Sequence, residues 1–409
     1  MSFEQALEQL LATALPLGQS RATQVVALSD ACGRVLAKEV VSRINVPPMD
    51  NSSMDGYAVN SADAALELPV SQRIPAGSAA QPLKPRSAAR IFTGAPIPVG
   101  ANAIVMQELV TTSQTASGDT IKINGSVNQG QWIRCKGEDI AQGSVVVAAG
   151  VLIDPIVCGL IASVGQADVT VYERFKVACF FTGDELTMPG EALREGAIYN
   201  SNRFVLTAAL RALGCDVLDL GIVPDTLAAT RAALVQAASK CDLILTSGGV
   251  SVGEEDHVKP AVQAEGSIDL WQISMKPGKP LAWGRVRKTL ATNESGYAQF
   301  IGLPGNPVSS FITFLLLGAP FIRAMQGLTY QAPVAVKLQA NFDWLAPDKR
   351  REFLRASVDS QGQLILYPTQ SSGALTSLAR STGLIDNPGA NVIKRGDWVS
   401  FIAFARAGL

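Results

Sequence analysis

The sequence predicts a multidomain α/β protein: a central domain built on a parallel sheet, with β-rich domains before and after it. Three observations predict this. A chain of 409 residues is too long for one ordinary hydrophobic core. From residue 175 to about 328, short apolar strands alternate with helical runs, the sequence form of βαβ units. On both sides the pattern turns to short β-like runs broken by Pro, Gly and Ser.

The N-terminal MSFEQALEQLLATALPL carries glutamates and no basic region, so it reads as an amphipathic helix and not as a signal peptide. Between 47 and 142, the runs SQRIPAG, ARIFTGAPIPVGANAIVMQE and DTIKINGSV show almost no helical periodicity, which predicts an inserted β-rich domain with loops at its tips. The flanks, 1–46 and 143–174, are expected to form one discontinuous N-terminal domain. In 175–328, FKVACFFTGDEL is a strand entering a turn, NRFVLTAALRALG a helix ending on Gly214, and CDVLDLGIV a strand. TLAATRAALVQAASK is a second helix, CDLILTSGG another strand, and a helix from Pro307 to Met325 closes the domain. Residues 329–409 return to β with PVAVKLQA, REFLRASV, QLILYP and WVSFIAF, predicting a small C-terminal β-barrel.

Composition excludes several functions. The 34 basic residues against 35 acidic ones leave no basic excess, so a nucleic-acid partner is not expected and any anion site must be local. The 6 cysteines form no C-x-x-C pair and His257 is the single histidine, so no zinc site is expected. They read as buried free thiols of a reducing cytosol. The longest apolar run, FITFLLLGAPF from Phe311, is shorter than a membrane span and is broken by Gly318 and Pro320. A cytoplasmic protein without a membrane partner is expected.

Three anion-seeking segments follow one another between 246 and 309. TSGGVSVGEEDHVK puts a turn containing Gly248, Gly249 and Ser251 after an apolar strand. It lacks the lysine of a Walker motif and the spacing of a dinucleotide fingerprint, and paired glycines also make ordinary turns. MKPGKPLAW holds Lys276 and Lys279 beside Pro280 in a stiff loop. GLPGNPVSS places Pro304, Gly305 and Ser309 around Asn306 as N-cap and Pro307 at the first position of an apolar helix. Backbone N–H groups, two lysines and a helix N-terminus make a site for phosphates or another compact oxyanion. TGDEL adds Asp184 and Glu185 at a strand end, and GEEDHVK adds Glu254, Glu255 and Asp256. Carboxylates beside a phosphate cradle suit magnesium. Glu254 and Glu255 read better as helix-dipole partners, Asp256 and Glu185 as functional groups. Turn chemistry alone does not mark DNSSMDGYAV or RIFTGAPIP as catalytic.

Taken together, DNSSMDGYAV, IFTGAPIPVGANAIVMQE, GEDI, TGDEL, IYNSN, TSGGVSVGEEDHVK, KPGKP and GLPGNPVS, in that order, closely resemble the molybdopterin molybdenumtransferases, the bacterial MoeA proteins and the gephyrin E-domain. The resemblance implies four-domain subunits with a central α/β domain of MoaB/MogA type, paired as homodimers. It implies insertion of molybdate into adenylylated molybdopterin, with magnesium-dependent cleavage of the pyrophosphate bond releasing AMP and molybdenum cofactor. It makes Asp256 and Glu185, beside Asp184, the groups that hold magnesium or position water. Lys276, Lys279, Pro280 and Ser309 would line the molybdate site, and Asp225 would sit at the nucleotide edge. Asp55, Thr93 and Asp139 would come from the second subunit to shape the cleft. Arg350, Arg351 or Arg355 in RREFLR, and Ser372, would be oxyanion ligands.

Two departures stand out: His257 replaces an aromatic residue of many relatives, and Cys135 stands where a basic residue is expected. The full length argues against a molybdopterin adenylyltransferase, which the resemblance instead suggests as a protein partner together with molybdoenzyme maturation proteins. A tungsten-inserting homologue and a non-catalytic molybdopterin-binding scaffold remain the alternatives.

Overall fold

The computed structural model describes residues 1–116, 118–249, 257–288 and 296–404. Ser251 and Asp256, and with them Glu254 and Glu255, lie outside the described residues.

A mixed six-stranded sheet forms the centre. In chain order its strands are β1 Lys176–Thr182, β2 Asp216–Val223, β3 Leu243–Ser247, β4 Gly266–Gln272, β5 Pro280–Lys288 and β6 Gly296–Leu303. Their spatial order is β2-β1-β3-β6-β5-β4. The first four run parallel, as the alternating pattern predicts, while β5 runs antiparallel to both neighbours and extends the sheet at one edge. Alternation along β1 sends Val177, Cys179 and Phe181 to one face and Ala178 and Phe180 to the other.

The first face is covered by α1 Phe3–Gln19, α2 Ser201–Ala212 and α5 Pro307–Met325; the second by α3 Leu227–Lys240 and α4 Val258–Glu265. Each N-terminus has a local reason. Ser2 and Gln5 form a reciprocal capping box on α1, and Asn200 and Thr226 accept from the third amides of α2 and α3. Helix α5 is long and apolar enough to cross a membrane, but 83% of its apolar window is buried in the fold, so it is a core helix.

Helix α1 docks on the central domain. Gly18 lies so close to the Ala324 carbonyl of α5 that a Cβ there would overlap it. Phe3 meets Phe353 edge-on with ring centroids 5.5 Å apart, Arg351 pairs with Glu4, and the Met1 amino group donates to Gln272 O at 3.0 Å. The chain then pairs Thr23–Ala27 with Asp168–Tyr172 and Val40–Val41 with Val145–Val147, bringing together segments on either side of the β-rich part. That part is a six-stranded sheet ordered Ala103–Met106, Gly56–Val59, Ala88–Ile91, Glu67–Ile74, Gly118–Ile123, Val110–Thr115.

In the C-terminal part, Met275–Lys276, Arg351–Val358, Gly383–Asn387, Trp398–Ala403 and Val336–Gln339 pair in that order, with Leu364–Leu366 against Arg351–Val358. A bridge from Ala340 to Leu364 joins the ends, so the strands close into the expected barrel. The expectation of buried thiols needs correcting. All 6 cysteines are free, but Cys32 and Cys135 are exposed and Cys158 is half-buried; only Cys179, Cys215 and Cys241 are buried.

Candidate active site

Phe181 pairs with Ser247, and Ser247 with Leu303, so β1, β3 and β6 end level with one another. Their loops leave at the same carboxyl edge, where open α/β sheets bind ligands. Gly183 and Glu185, Gly248 and Gly249, and Pro304, Gly305 and Asn306 form one wall of a cleft of about 750 Å³. Asp225, Lys276, Lys279 and Pro280, Ser309, and Arg350 and Ser372 of the C-terminal part complete it. Pro307 lines a neighbouring cavity of about 600 Å³ that shares Thr182, Glu185, Gly248, Gly305 and Asn306 with the first.

The loop residues are small because the backbone is crowded. Gly248 has φ +96, and a Cβ on it would stand 2.8 Å from Thr182 O. A Cβ on Gly278, φ +107, would overlap Thr313 Oγ1 of α5. Ser247, buried, ties the loops: its hydroxyl donates to Pro304 O at 2.9 Å and meets Ser310 Oγ at 3.2 Å. Asn202 Nδ2 donates to Ser247 Oγ at 2.8 Å and to Gly305 O at 2.7 Å. The expected N-cap Asn306 begins α5 without a side-chain cap bond, leaving that side chain to the cleft. Val308 N donates to Ser372 O at 3.0 Å, which holds the C-terminal rim against the helix start.

Cations gather on the C-terminal side. Lys276 Nζ lies 3.4 Å from Glu352 Oε1 and 3.6 Å from Asp348 Oδ2. Arg350 grips Asp348 with two prongs, Nε to Oδ1 at 3.0 Å and Nη2 to Oδ2 at 2.8 Å. These bonds, then the Arg350 amide and the Arg350 and Lys276 charges, hold the Asp348 carboxyl far below the usual carboxylate range. Lys279 is exposed; its carbonyl accepts from Ile273 N at 2.8 Å, and its side chain has no hydrogen bond or ion pair among the described residues. Among the described residues, Asp225 Oδ1 and Thr182 Oγ1 of the cleft lining are buried with no hydrogen-bond partner.

Among the described residues, no three His, Cys, Asp or Glu side chains gather as a metal cluster. Glu185 lines the cleft, whereas Asp184 does not; its carbonyl accepts from Arg194 Nη2 at 2.8 Å. The orphaned Asp225 oxygen and the Glu185 carboxylate in one cleft still suit a hard cation that shares phosphate oxygens.

Asp55, Thr93 and Asp139 do not line this cleft within one chain. Thr93 N and Oγ1 both donate to Asp55 Oδ1 at 2.8 Å, and these bonds hold the exposed Asp55 carboxyl below its ordinary value. Asp139 N donates to Val46 O at 3.1 Å. Of the arginines in RREFLR, Arg351 is committed to Asp386 and Glu4, away from the cleft. Arg355 is buried behind the rim, where Nη2 donates to Ser371 O at 3.3 Å and burial pushes its pKa down to about 10.

Three family models match in sequence: the MoeA N-terminal region (domain I and II) over 1–165, a probable molybdopterin binding domain over 178–324, and the MoeA C-terminal region (domain IV) over 337–404. The molybdopterin molybdenumtransferase of Haemophilus influenzae is 42% identical over 308 residues, 75% of this chain and 73% of its own. The molybdopterin molybdenumtransferase 2 of Mycobacterium tuberculosis is 37% identical over 380 residues, 89% of this chain and 90% of its own. This chain belongs to the molybdopterin molybdenumtransferase family. The crystal structure of a molybdopterin biosynthesis moeA protein from Pyrococcus horikoshii superposes with a TM-score of 0.82 at 27% identity, covering 99% of this chain and 100% of that one.

As a molybdopterin molybdenumtransferase family member, the chain builds its cleft from two of the matched regions, with Thr182 to Ser309 on one side and Arg350 to Ser372 on the other. Of the other lining residues, Thr182 and Gly183 lie within TGDEL and Pro277 and Gly278 within KPGKP, motifs the sequence singles out, while Gln370 and Ser371 were missed and only their adjacency to Ser372 could have signalled them.

Proposed function

We propose that this chain inserts molybdenum into molybdopterin, taking adenylylated molybdopterin and molybdate and releasing AMP and molybdenum cofactor. The observation that carries this reading is the composition of one cleft, which brings Lys276, Lys279 and Arg350 together with Glu185 and an Asp225 oxygen that has no hydrogen-bond partner among the described residues. Lys279 and Ser309 in the first turn of α5 bind the oxyanion, with Ser372 closing the rim. Gly248 and Gly249, followed by Ser251, bring backbone N–H groups to phosphate oxygens. Glu185 and Asp225, with Asp256, are the residues that would hold magnesium, which when bound neutralises charge on the pyrophosphate. A carboxylate of this set that does not hold the metal would position the attacking water and accept its proton as the bond to AMP opens.

A second copy of the chain supplies Asp55, Thr93 and Asp139 in this reading. Support comes from their absence from the cleft of their own chain and from the exposed, preformed Asp55–Thr93 pair. Purified protein with adenylylated molybdopterin and magnesium, assayed for AMP with and without molybdate, tests the proposal. Molybdate-dependent AMP release is expected, and a tungstate arm measures selectivity. Tight binding with no release would replace the enzyme by a scaffold.

A further inference from the structure

Arg355 is 1% exposed, yet among the described residues it pairs with no carboxylate. The other two arginines of RREFLR each have one, Arg350 in Asp348 and Arg351 in Asp386. The Arg355 guanidinium donates only to neutral oxygens: Nε to Ser377 Oγ at 3.3 Å, Nη1 to Phe353 O at 3.4 Å and Nη2 to Ser371 O at 3.3 Å. All three bonds are long. Burial lowers its pKa only to about 10, so the group stays charged near neutral pH. A guanidinium taken out of water without a counter-charge costs folding stability, and packing alone gives no reason to keep one.

Its place in the fold supplies a reason. Along Arg351–Val358, Leu354 and Ala356 enter the core of the barrel, whereas Phe353 joins the core of the central domain. Alternation puts Arg355 on the Phe353 face, at the seam between the two. The cleft rim lies directly beyond. Ser371, whose carbonyl Arg355 holds, lines the cleft. So does Gln370, which is tied to the Arg355 backbone twice: its Oε1 accepts from Arg355 N at 2.9 Å and its Nε2 donates to Arg355 O at 3.0 Å. A charge buried behind such a rim is poorly screened and acts strongly on an anion in front of it. The cations that line the cleft differ: Lys276 and Arg350 are engaged by carboxylates, and Lys279 is exposed to water.

We infer that Arg355 is a positioning residue of the oxyanion site, one that touches no ligand but aligns Gln370 to Ser372 and leaves its own counter-charge to be supplied by the bound anion. The inference rests on the oxyanion reading of the cleft given above. The ligand class is a compact oxyanion such as molybdate, whose negative charge matches the charge that folding leaves uncompensated.

Variants at two positions separate charge from shape. Arg355→Met removes the charge at similar length. Ser377→Asp places a carboxylate beside Nε and leaves Arg355 and its rim bonds in place, and Ser377→Asn is its neutral match in size. Molybdate-dependent AMP release is measured on the full-length protein, with urea midpoints alongside. Arg355→Met and Ser377→Asp should each raise the molybdate concentration giving half-maximal release about fivefold to tenfold, with a smaller change in the maximal rate. Ser377→Asn should stay within about twofold of wild type, because it adds no charge. Wild-type molybdate dependence in Arg355→Met and Ser377→Asp overturns the inference, as does an equal shift in Ser377→Asn and Ser377→Asp. A lower urea midpoint with unchanged molybdate dependence would make Arg355 purely structural and overturn it too. Absence of molybdate-dependent release from wild-type protein would instead defeat the oxyanion reading, and the inference with it.

Discussion

The backbone of Gly248 passes so close to Thr182 that a Cβ on the glycine would stand 2.8 Å from the threonine carbonyl oxygen, and its φ of +96 disfavours any side chain. Both constraints act at the point where β1 and β3 release their loops into the cleft. Gly248→Ala should cost about 1–3 kcal/mol through backbone strain alone and should displace the turn that carries Gly249. Urea denaturation and AMP release, measured on the same preparation, check this. An alanine variant with wild-type stability and turnover would show that the turn has room to adjust.

Asn202 is the tie between two loops, through Ser247 Oγ and Gly305 O. Asn202→Ala leaves the buried Ser247 hydroxyl and the Gly305 carbonyl without that donor, at about 1–3 kcal/mol. Because the loops belong to the cleft, kcat/KM should fall about tenfold or more, a larger effect than the stability loss accounts for if the loops drift. Kinetics together with thermal unfolding decide it; a stability loss with unchanged kcat/KM would make the tie purely structural.

Lys279 is the cleft cation with no ion pair among the described residues, while Lys276 and Arg350 are engaged by Asp348 and Glu352. Its charge is therefore available to a ligand. Lys279→Ala should raise the molybdate concentration giving half-maximal AMP release by about tenfold, near 1.4 kcal/mol, while AMP binding survives. Unchanged molybdate dependence would remove the lysine from the oxyanion site.

Much of this site was legible because the residues that make it are local in sequence. GLPGNP and KPGK carry their meaning in proline, glycine and lysine, and residues of both line the first cleft, with Pro307 in the neighbouring cavity. Contacts between distant segments were not legible. Nothing in REFLR distinguishes Arg351, spent on Glu4 and Asp386, from Arg355, buried behind the rim. Nothing in MSFEQALEQLLATALPL announces that Gly18 fits against Ala324. The strand Pro280–Lys288 was also hidden, since the KPGKP loop before it read as a turn and its antiparallel pairing breaks the βαβ rhythm.

The thiols give a prediction independent of substrate. Burial pushes Cys179 and Cys215 up to about 12 and Cys241 up to about 11. Burial, then the neighbouring Cys32 thiol, also raises half-buried Cys158. Since the thiolate is the reactive form, a disulfide reagent near neutral pH should modify Cys32 and Cys135 first, Cys158 more slowly, and the three buried thiols only with denaturant. Peptide mapping by mass spectrometry reads the order, and early labelling of Cys179 would contradict the packed sheet.

Asp242 offers the clearest test of electrostatics in stability. Burial alone would raise its carboxyl, but Arg21 at 3.0 Å, the Lys176 amide at 3.2 Å and Lys288 at 3.5 Å together outweigh burial and hold it below its ordinary value. A carboxyl depressed in the folded state contributes stability above its unfolded value of about 3.9, and loses that contribution as pH falls through the lower folded value. Wild-type protein should therefore lose this share of stability below about pH 4. Asp242→Asn keeps the size but leaves Arg21 and Lys288 without their counter-charge, so at about pH 7 it should be less stable by roughly 1–3 kcal/mol. On acidification the variant has no such carboxylate to protonate, so its stability should fall less steeply and the two curves should converge. Urea midpoints at several pH values from about 7 down to about 3 follow this directly. Parallel curves with a constant offset would mean that Asp242 acts by hydrogen bonding alone, and its ion pairs with Arg21 and Lys288 would then carry no stability.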